Sequence, residues 1–124
     1  MNNITIQEQI IKLFKDESTE FRFKSYNESQ EMCIYESYDP TGGTQHDFEY
    51  YVSFNSEQEL IAELSDIDPD YVKETEYDIR TDPELSNEGF EIDEDCKQEI
   101  KYVCEKWGET LKHVISKIVN HFSE

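Results

Sequence analysis

The stretch FEYYVSFNSEQELIAEL, residues 48–64, decides the fold class of this chain. In its first half, apolar or aromatic residues take every second position: Phe48, Tyr50, Val52 and Phe54. This alternation predicts a strand with one buried face. Ser56 and Glu59 then form a capping box ahead of several apolar residues, which predicts a short helix near 56–65. Within one short stretch, the spacing of the apolar residues changes from that of a strand to that of a helix, which indicates an α+β fold.

Three further elements are predicted upstream of this stretch. Thr5 and Glu8 make a second capping box, followed by apolar residues at helical spacing, so we expect an amphipathic helix near 5–17. Two short alternating segments come next, with Phe21 and Phe23 in one and Met32 and Ile34 in the other. Together with the first stretch they predict a three-stranded antiparallel sheet.

The C-terminal segment predicts one long helix packed on the sheet. Asp93 can cap its start, and Gly108 in its middle marks either a bend or a close approach of a neighbouring element. Its apolar residues recur at spacings of three and four: Ile100, Val103, Cys104, Trp107, Leu111, Val114, Ile115, Ile118 and Phe122. At 124 residues the chain fits a single domain, 1–124.

The segment 66–92 is ambiguous in its secondary structure. Asp68 and Pro69 suit a helix start, yet Tyr77 with Ile79 alternates like one strand of a hairpin, as does Phe90 with Ile92. We favour helix or irregular structure and keep the hairpin as the alternative.

Negative charge dominates the composition and concentrates in the middle of the chain. The net charge is −19, and residues 63–95 hold 14 of the 30 acidic residues but only 2 of the 11 basic ones. On an extended backbone, carboxylates at every second residue would project to one side about 6.6 Å apart. Such a row suits Lys and Arg side chains that are placed to grip phosphates, so mimicry of nucleic acid is one interpretation. A merely solvated acidic face is the other.

We expect the partner-binding surface to be this acidic segment, including two tyrosines that offer rigid contact area. Its predicted residues are Asp66, Asp68, Asp70, Glu74, Glu76, Asp78, Asp82, Glu84, Glu88, Glu91, Tyr71 and Tyr77. The partner expected from this charge is a basic protein, while direct binding of nucleic acid is disfavoured because phosphates would be repelled.

Metal, cofactor and catalytic motifs are not recognisable. Asp66, Asp68 and Asp70 fill positions 1, 3 and 5 of a calcium loop, but Tyr71 and Tyr77 stand where that loop needs glycine and an acid. The three histidines, at 46, 113 and 121, lack the spacing of a helical zinc site. We therefore expect no cofactor, no metal and no enzyme activity.

The expected setting is the cytoplasm of a bacterial host cell. The three cysteines, at 33, 96 and 104, show no paired spacing and are interpreted as reduced thiols. No apolar run is long enough to cross a membrane.

The predicted element order of residues 1–65, beginning MNNITIQEQIIKLF, together with the acidic, tyrosine-bearing composition, resembles small phage-encoded anti-CRISPR proteins. The similarity is to the acidic DNA-mimicking inhibitors of type II-A CRISPR nucleases, although the long C-terminal helix goes beyond them. The resemblance implies that the chain blocks the basic DNA-recognition cleft of a nuclease.

Three alternatives stay open. An immunity protein against a cationic nuclease toxin would use the same electrostatics. A homodimer or larger oligomer could form through the C-terminal helix, whose apolar positions exceed what a small sheet covers. A hydrolase would need two of the carboxylates to meet in a deep pocket.

Overall fold

The computed structural model of the protein describes residues 5–82 and 93–123. The elements are α1 (Ile6–Leu13), β1 (Glu20–Ser25), β2 (Gln30–Tyr38), β3 (His46–Phe54), α2 (Glu57–Ser65), α3 (Pro69–Thr81) and α4 (Glu94–Phe122). The predicted α+β class is confirmed, as are the three strands, the short helix after them and the long C-terminal helix.

The chain forms two compact units, and each combines segments that are distant in sequence. The first unit takes its residues from Met1–Ser37, Asp47–Ile67 and His113–Glu124, and the second from Tyr38–His46 and Asp68–Lys112. Helix α4 therefore contributes residues to both. The assignment of one domain over 1–124 stays a prediction.

The first unit contains an antiparallel sheet in the order β1-β2-β3. Phe21 pairs with Ile34 and Phe23 with Met32 across β1 and β2, so the alternating residues that predicted the strands lie on one face. The core of this unit includes Ile10, Met32, Ile34, Phe48, Val52, Phe54, Leu60 and Leu64.

Helices α1 and α2 begin where the capping boxes predict. The Thr5 side chain accepts a hydrogen bond from the Glu8 N–H at 3.1 Å, and Ser56 accepts one from the Glu59 N–H at 3.2 Å. Helix α1 ends at Leu13, earlier than the predicted 17, because Phe14 leaves the helical conformation and forms its C-cap.

The second unit contains α3 and the first part of α4. Helix α3 confirms a helix over Pro69–Thr81, so Tyr77 and Ile79 do not form a hairpin strand. Phe90 and Ile92 lie outside the described residues. At the start of α4, the Asp93 side chain accepts a hydrogen bond from the Cys96 N–H at 2.8 Å, as the predicted cap requires, and this bond lowers the pKa of Asp93.

Hydrogen bonds within the second unit tie α4 to the ends of two strands. The Tyr38 hydroxyl, at the end of β2, donates to the Lys106 carbonyl oxygen at 3.2 Å. Nε2 of His46, at the start of β3, lies 2.7 Å from a Glu99 carboxylate oxygen. These two contacts connect α4 to the strand ends that belong to the second unit.

Most of the apolar stripe of α4 is covered by the chain itself. The buried members are Ile100, Val103, Cys104, Trp107, Leu111, Val114 and Ile118. Only Ile115 and Phe122 among the predicted nine are partly exposed. The apolar surplus that motivated the oligomer alternative is therefore small.

The cysteines and the helices also bear on the predicted setting. None of the three cysteines, all of which lie in the described residues, forms a disulfide bond; Cys33 and Cys104 are buried and Cys96 is exposed. Within 5–82 and 93–123, no helix combines the length and the apolar character needed to cross a membrane.

Candidate functional site

The candidate site is built on α3, whose start is fixed by its own sequence. Asp68 is the N-cap, and its Oδ1 accepts hydrogen bonds from the N–H groups of Asp70 at 3.1 Å and Tyr71 at 3.3 Å. Pro69 follows in the first turn, where a missing N–H has no cost. No residue of α3 is fully buried. The helix therefore depends on its cap, its ion pairs and its contact with α4.

That contact is made at Gly108 of α4. A Cβ atom at Gly108 would lie 3.0 Å from the Lys73 Cδ and 3.5 Å from the Pro69 carbonyl oxygen. The glycine thus lets the first turns of α3 approach the α4 backbone closely, which confirms the close approach predicted for this position. Asp70, near the start of α3, pairs with Lys112 of α4. Tyr77, about two turns later in α3, lines a groove with Cys104, which comes before Lys112 in α4. The two helices therefore run antiparallel.

Two acids of α3 are neutralised by neighbouring cations. Asp70 Oδ1 lies 3.1 Å from the Lys112 Nζ and 3.6 Å from the Lys73 Nζ. The hydrogen bond from Lys112 lowers the pKa of Asp70, and the charges of both lysines add to this effect. Glu76 Oε2 lies 3.0 Å from the Arg80 Nε one turn later. The Asp70–Lys112 pair links α3 to α4, whereas the Glu76–Arg80 pair lies within α3. Both carboxylates are less available to a partner.

The other carboxylates of α3 point to solvent. Glu74 and Asp78 are exposed, and neither forms an ion pair with a residue of the described ranges 5–82 and 93–123. At about 100° per residue, they share a sector of roughly 60° with Tyr71. Tyr71 is 68% exposed. We call Tyr71, Glu74 and Asp78 the acidic face of α3.

A groove of about 400 Å³ borders this face. It is lined by Lys73, Glu74, Tyr77, Asp78, Lys101, Cys104 and Glu105. The Cys104 thiol is buried beneath it, and burial raises its pKa to about 11, so the thiol stays neutral at physiological pH. Three carboxylates and two ammonium groups therefore surround the opening.

The α4 side of this groove was not among the residues predicted from the sequence. Lys101 and Glu105 are one helical turn apart, so the sequence alone indicates that they share one face of the helix. The sequence offered no signal that this face would meet α3, because the contact depends on residues far apart in the chain.

The remaining predicted site residues do not join the acidic face. Asp66 is the C-cap of α2 in the first unit, whereas Asp82 is the C-cap of α3. Tyr77 is half-buried in the groove rather than exposed. Glu84, Glu88 and Glu91 lie outside the described residues.

The row of anions that an extended backbone would present does not form over 69–81, because this stretch is helical. In a helix, residues two apart are rotated by about 200°, so Glu74, Glu76 and Asp78 cannot all lie on one side. Glu76 faces Arg80 on another side of the helix, while Glu74 and Asp78, four apart, come together. The site is a two-carboxylate face with one tyrosine.

The described side chains do not form a metal centre. Within 5–82 and 93–123, no group of three or more His, Cys, Asp or Glu side chains is arranged to hold a metal ion. What the α3 surface offers chemically is therefore charge and aromatic contact area.

The chain matches no protein-family model, curated protein or solved structure. The resemblance to anti-CRISPR inhibitors accordingly rests on composition and element order.

Proposed function

We propose that this protein is an inhibitor that occupies the basic nucleic-acid-binding surface of another protein, with the acidic face of α3 as its recognition element. The observation that carries the proposal is the exposure of Glu74 and Asp78, neither of which forms an ion pair among the described residues, next to an exposed Tyr71. The partner's Lys and Arg side chains supply the missing counter-charges.

The geometry of the face supports contact with groups that normally bind phosphates. Side chains four residues apart on a helix have their Cβ atoms about 5–6 Å apart. A duplex strand places one phosphate for about each 3.4 Å of axial rise, with a larger distance through space. Two neighbouring cationic side chains can therefore engage Glu74 and Asp78 together, and Tyr71 adds rigid area with little loss of entropy.

The charge of the whole chain supports fast association with such a partner. A net charge of −19 creates a long-range field that attracts a cationic surface and raises the association rate at low salt. Because exposed charges are screened within about 10 Å at 0.1 M salt, the complex should weaken as salt is added.

The most specific form of the proposal is an anti-CRISPR protein that acts in the bacterial cytoplasm on the DNA-recognition cleft of a type II nuclease. An immunity protein would show the same physics with a secreted or injected nuclease toxin as its partner. The two differ in the target they inhibit, so purified nucleases of both classes distinguish them.

The experiment compares two charge-matched double variants. Glu74→Lys with Asp78→Lys removes the acidic face, while Glu28→Lys with Asp39→Lys changes two exposed acids elsewhere by the same total charge. Each protein is used to capture partners from bacterial lysate at about 0.1 and 0.5 M salt, and duplex DNA is added as a competitor.

Wild type and the control variant should capture nucleic-acid-binding proteins at low salt, and duplex DNA should displace these proteins. The α3 variant should lose them and should fail to inhibit DNA cleavage by the captured nuclease. Equal capture by both variants would contradict the assignment to α3, and capture unaffected by duplex DNA would contradict mimicry.

A further inference from the structure

The edge of the sheet formed by β3 carries a second, separate groove. Among residues 5–82 and 93–123, which form a sheet in the order β1-β2-β3, the strand His46–Phe54 has a neighbouring strand on one side only. An open cavity of about 260 Å³ lies against it. Its lining consists of Tyr50, Tyr51, Val52 and Ser53 on the strand, with Glu63 and Ile67 opposite.

The lining residues place this cavity at the edge of the strand rather than on a face. Successive side chains of a strand point to opposite faces, and here Val52 is 4% exposed whereas Tyr51 is 56% exposed. A cavity that touches four consecutive residues must therefore follow the backbone at the free edge. Glu63 of α2, and Ile67 just after it, form the far wall.

An edge strand offers unpaired N–H and C=O groups that another extended chain can pair with. Strand β3 is nine residues long, so it provides enough backbone for several hydrogen bonds. The groove of about 260 Å³ beside residues 50–53 accommodates the part of an added chain that lies against them.

The charge of the residues around the groove indicates which kind of chain can bind there. Residues 46–65, which cover β3 and α2, contain no Lys or Arg, and they hold Asp47, Glu49, Glu57, Glu59 and Glu63. The opposite edge strand, β1, carries Arg22 and Lys24 together with Glu20, which pairs with Arg22. An acidic second copy would be repelled by the same field, so the complementary occupant is a basic segment.

We propose that the outer edge of β3 binds an extended, basic segment of a partner protein as an added fourth strand. The segment's backbone pairs with β3, and its Lys or Arg side chains lie near Glu49 and Glu63. The Tyr51 hydroxyl donates to Glu49 at 2.6 Å, which fixes the exposed ring where the stem or the cation of a basic side chain can pack on it. This site is in the first unit and does not rest on the function proposed for α3.

The direct test uses amide hydrogen exchange of the full chain with a synthetic probe. The probe is a nine-residue peptide of alternating Arg and Val, blocked at both ends. A control peptide of equal charge has Pro in place of two central Val residues, which removes N–H donors and disrupts a strand. With the probe at saturation, the outward amides of residues 50–53 should exchange about tenfold more slowly.

The control peptide should leave those amides unchanged. Equal protection by the two peptides, protection on β1 or α3 instead, or no protection at all would overturn the proposal. Formation of a dimer by the protein alone, seen as doubled mass in light scattering, with the same amides protected, would also overturn it, since the occupant would then be a second copy.

Two matched variants test the role of charge at the groove. Glu63→Lys should weaken binding of the Arg-Val peptide about fivefold, because it places a like charge on the groove wall. Glu28→Lys changes the net charge equally at an exposed turn and should bind as wild type does. Equal weakening in both variants would show general attraction alone and would overturn the assignment to β3.

Discussion

A Cβ atom added to Gly108 would lie 3.0 Å from the Cδ of Lys73. Two effects of substituting Gly108 therefore oppose each other: the gain in helix propensity and the close contact with Lys73. Ala gains about 1 kcal/mol over Gly in helix propensity, and the atom it meets is the outer part of a flexible side chain that can move away. We expect Gly108→Ala to change the free energy of unfolding by less than about 1 kcal/mol.

The bulkier Gly108→Val should destabilise the second unit. Its methyl groups extend toward the Lys73 Cβ and the Pro69 carbonyl oxygen, 3.4 and 3.5 Å from the added Cβ, and the backbone cannot yield without moving α3. We expect a loss of about 1–3 kcal/mol, measured by urea unfolding, with faster amide exchange in α3. A Val variant as stable as the Ala variant would show that the helices do not depend on this approach.

Thr19 and Glu36 provide the second prediction. The Thr19 hydroxyl donates to Glu36 Oε2 at 2.7 Å, and Glu36 is only 7% exposed. Thr19→Val keeps the shape of the side chain but removes its hydroxyl donor. Only the Ser18 hydroxyl then donates a hydrogen bond to this buried carboxylate oxygen. The expected cost is about 1–3 kcal/mol in unfolding free energy. Ser18→Ala, at a more exposed position, should cost less, and the reverse order would contradict the assigned roles.

Local signals in the sequence predicted a large part of the fold. The caps at Thr5, Ser56 and Asp93 and the alternation in three strands are each contained within a few residues, so they determine local structure without knowledge of the rest of the chain. The end of α1 was missed because nothing between Phe14 and residue 17 breaks a helix as Pro or Gly would.

The candidate site was less predictable because its contacts are distant in sequence. Tyr77 and Ile79 suit a strand or a helix, and Gly108 indicated a close approach without identifying α3 as the neighbouring element. Whether an acid is ion-paired also depends on distant residues: Asp70 pairs with Lys112, whereas Glu74 forms no ion pair within the described chain. Composition located the acidic segment, and only packing separates its paired carboxylates from its exposed ones.

Thiol reactivity gives a third prediction. Cys96 is exposed, whereas burial raises the pKa of both Cys33 and Cys104, with the charge of Glu49 adding to the effect at Cys33. Because the thiolate is the reactive form, a maleimide at neutral pH should label Cys96 rapidly and the other two only after unfolding. Mass spectrometry of the native protein should show one adduct, and Cys96→Ser should show none over the same time. Early labelling of Cys104 would contradict its place beneath the groove.

The last prediction concerns acid stability and Glu17 in the first unit. Its carboxylate accepts a hydrogen bond from the Lys117 Nζ at 2.6 Å and lies 2.7 Å from Nε2 of His113. Lys117, with His113 adding to it, holds the pKa of Glu17 below its usual value of 4.5. A carboxyl with a lowered folded-state pKa contributes stability above pH 4.5 and loses it as the pH falls through the folded-state value.

Glu17→Gln should therefore reduce the unfolding free energy at pH 7 by up to about 1 kcal/mol and flatten its fall below pH 4.5. Urea unfolding at a series of pH values measures both effects. Glu28→Gln, at an exposed turn, should reproduce the wild-type curve, and an unchanged acid limb in Glu17→Gln would show that this ion-paired carboxylate does not contribute to stability.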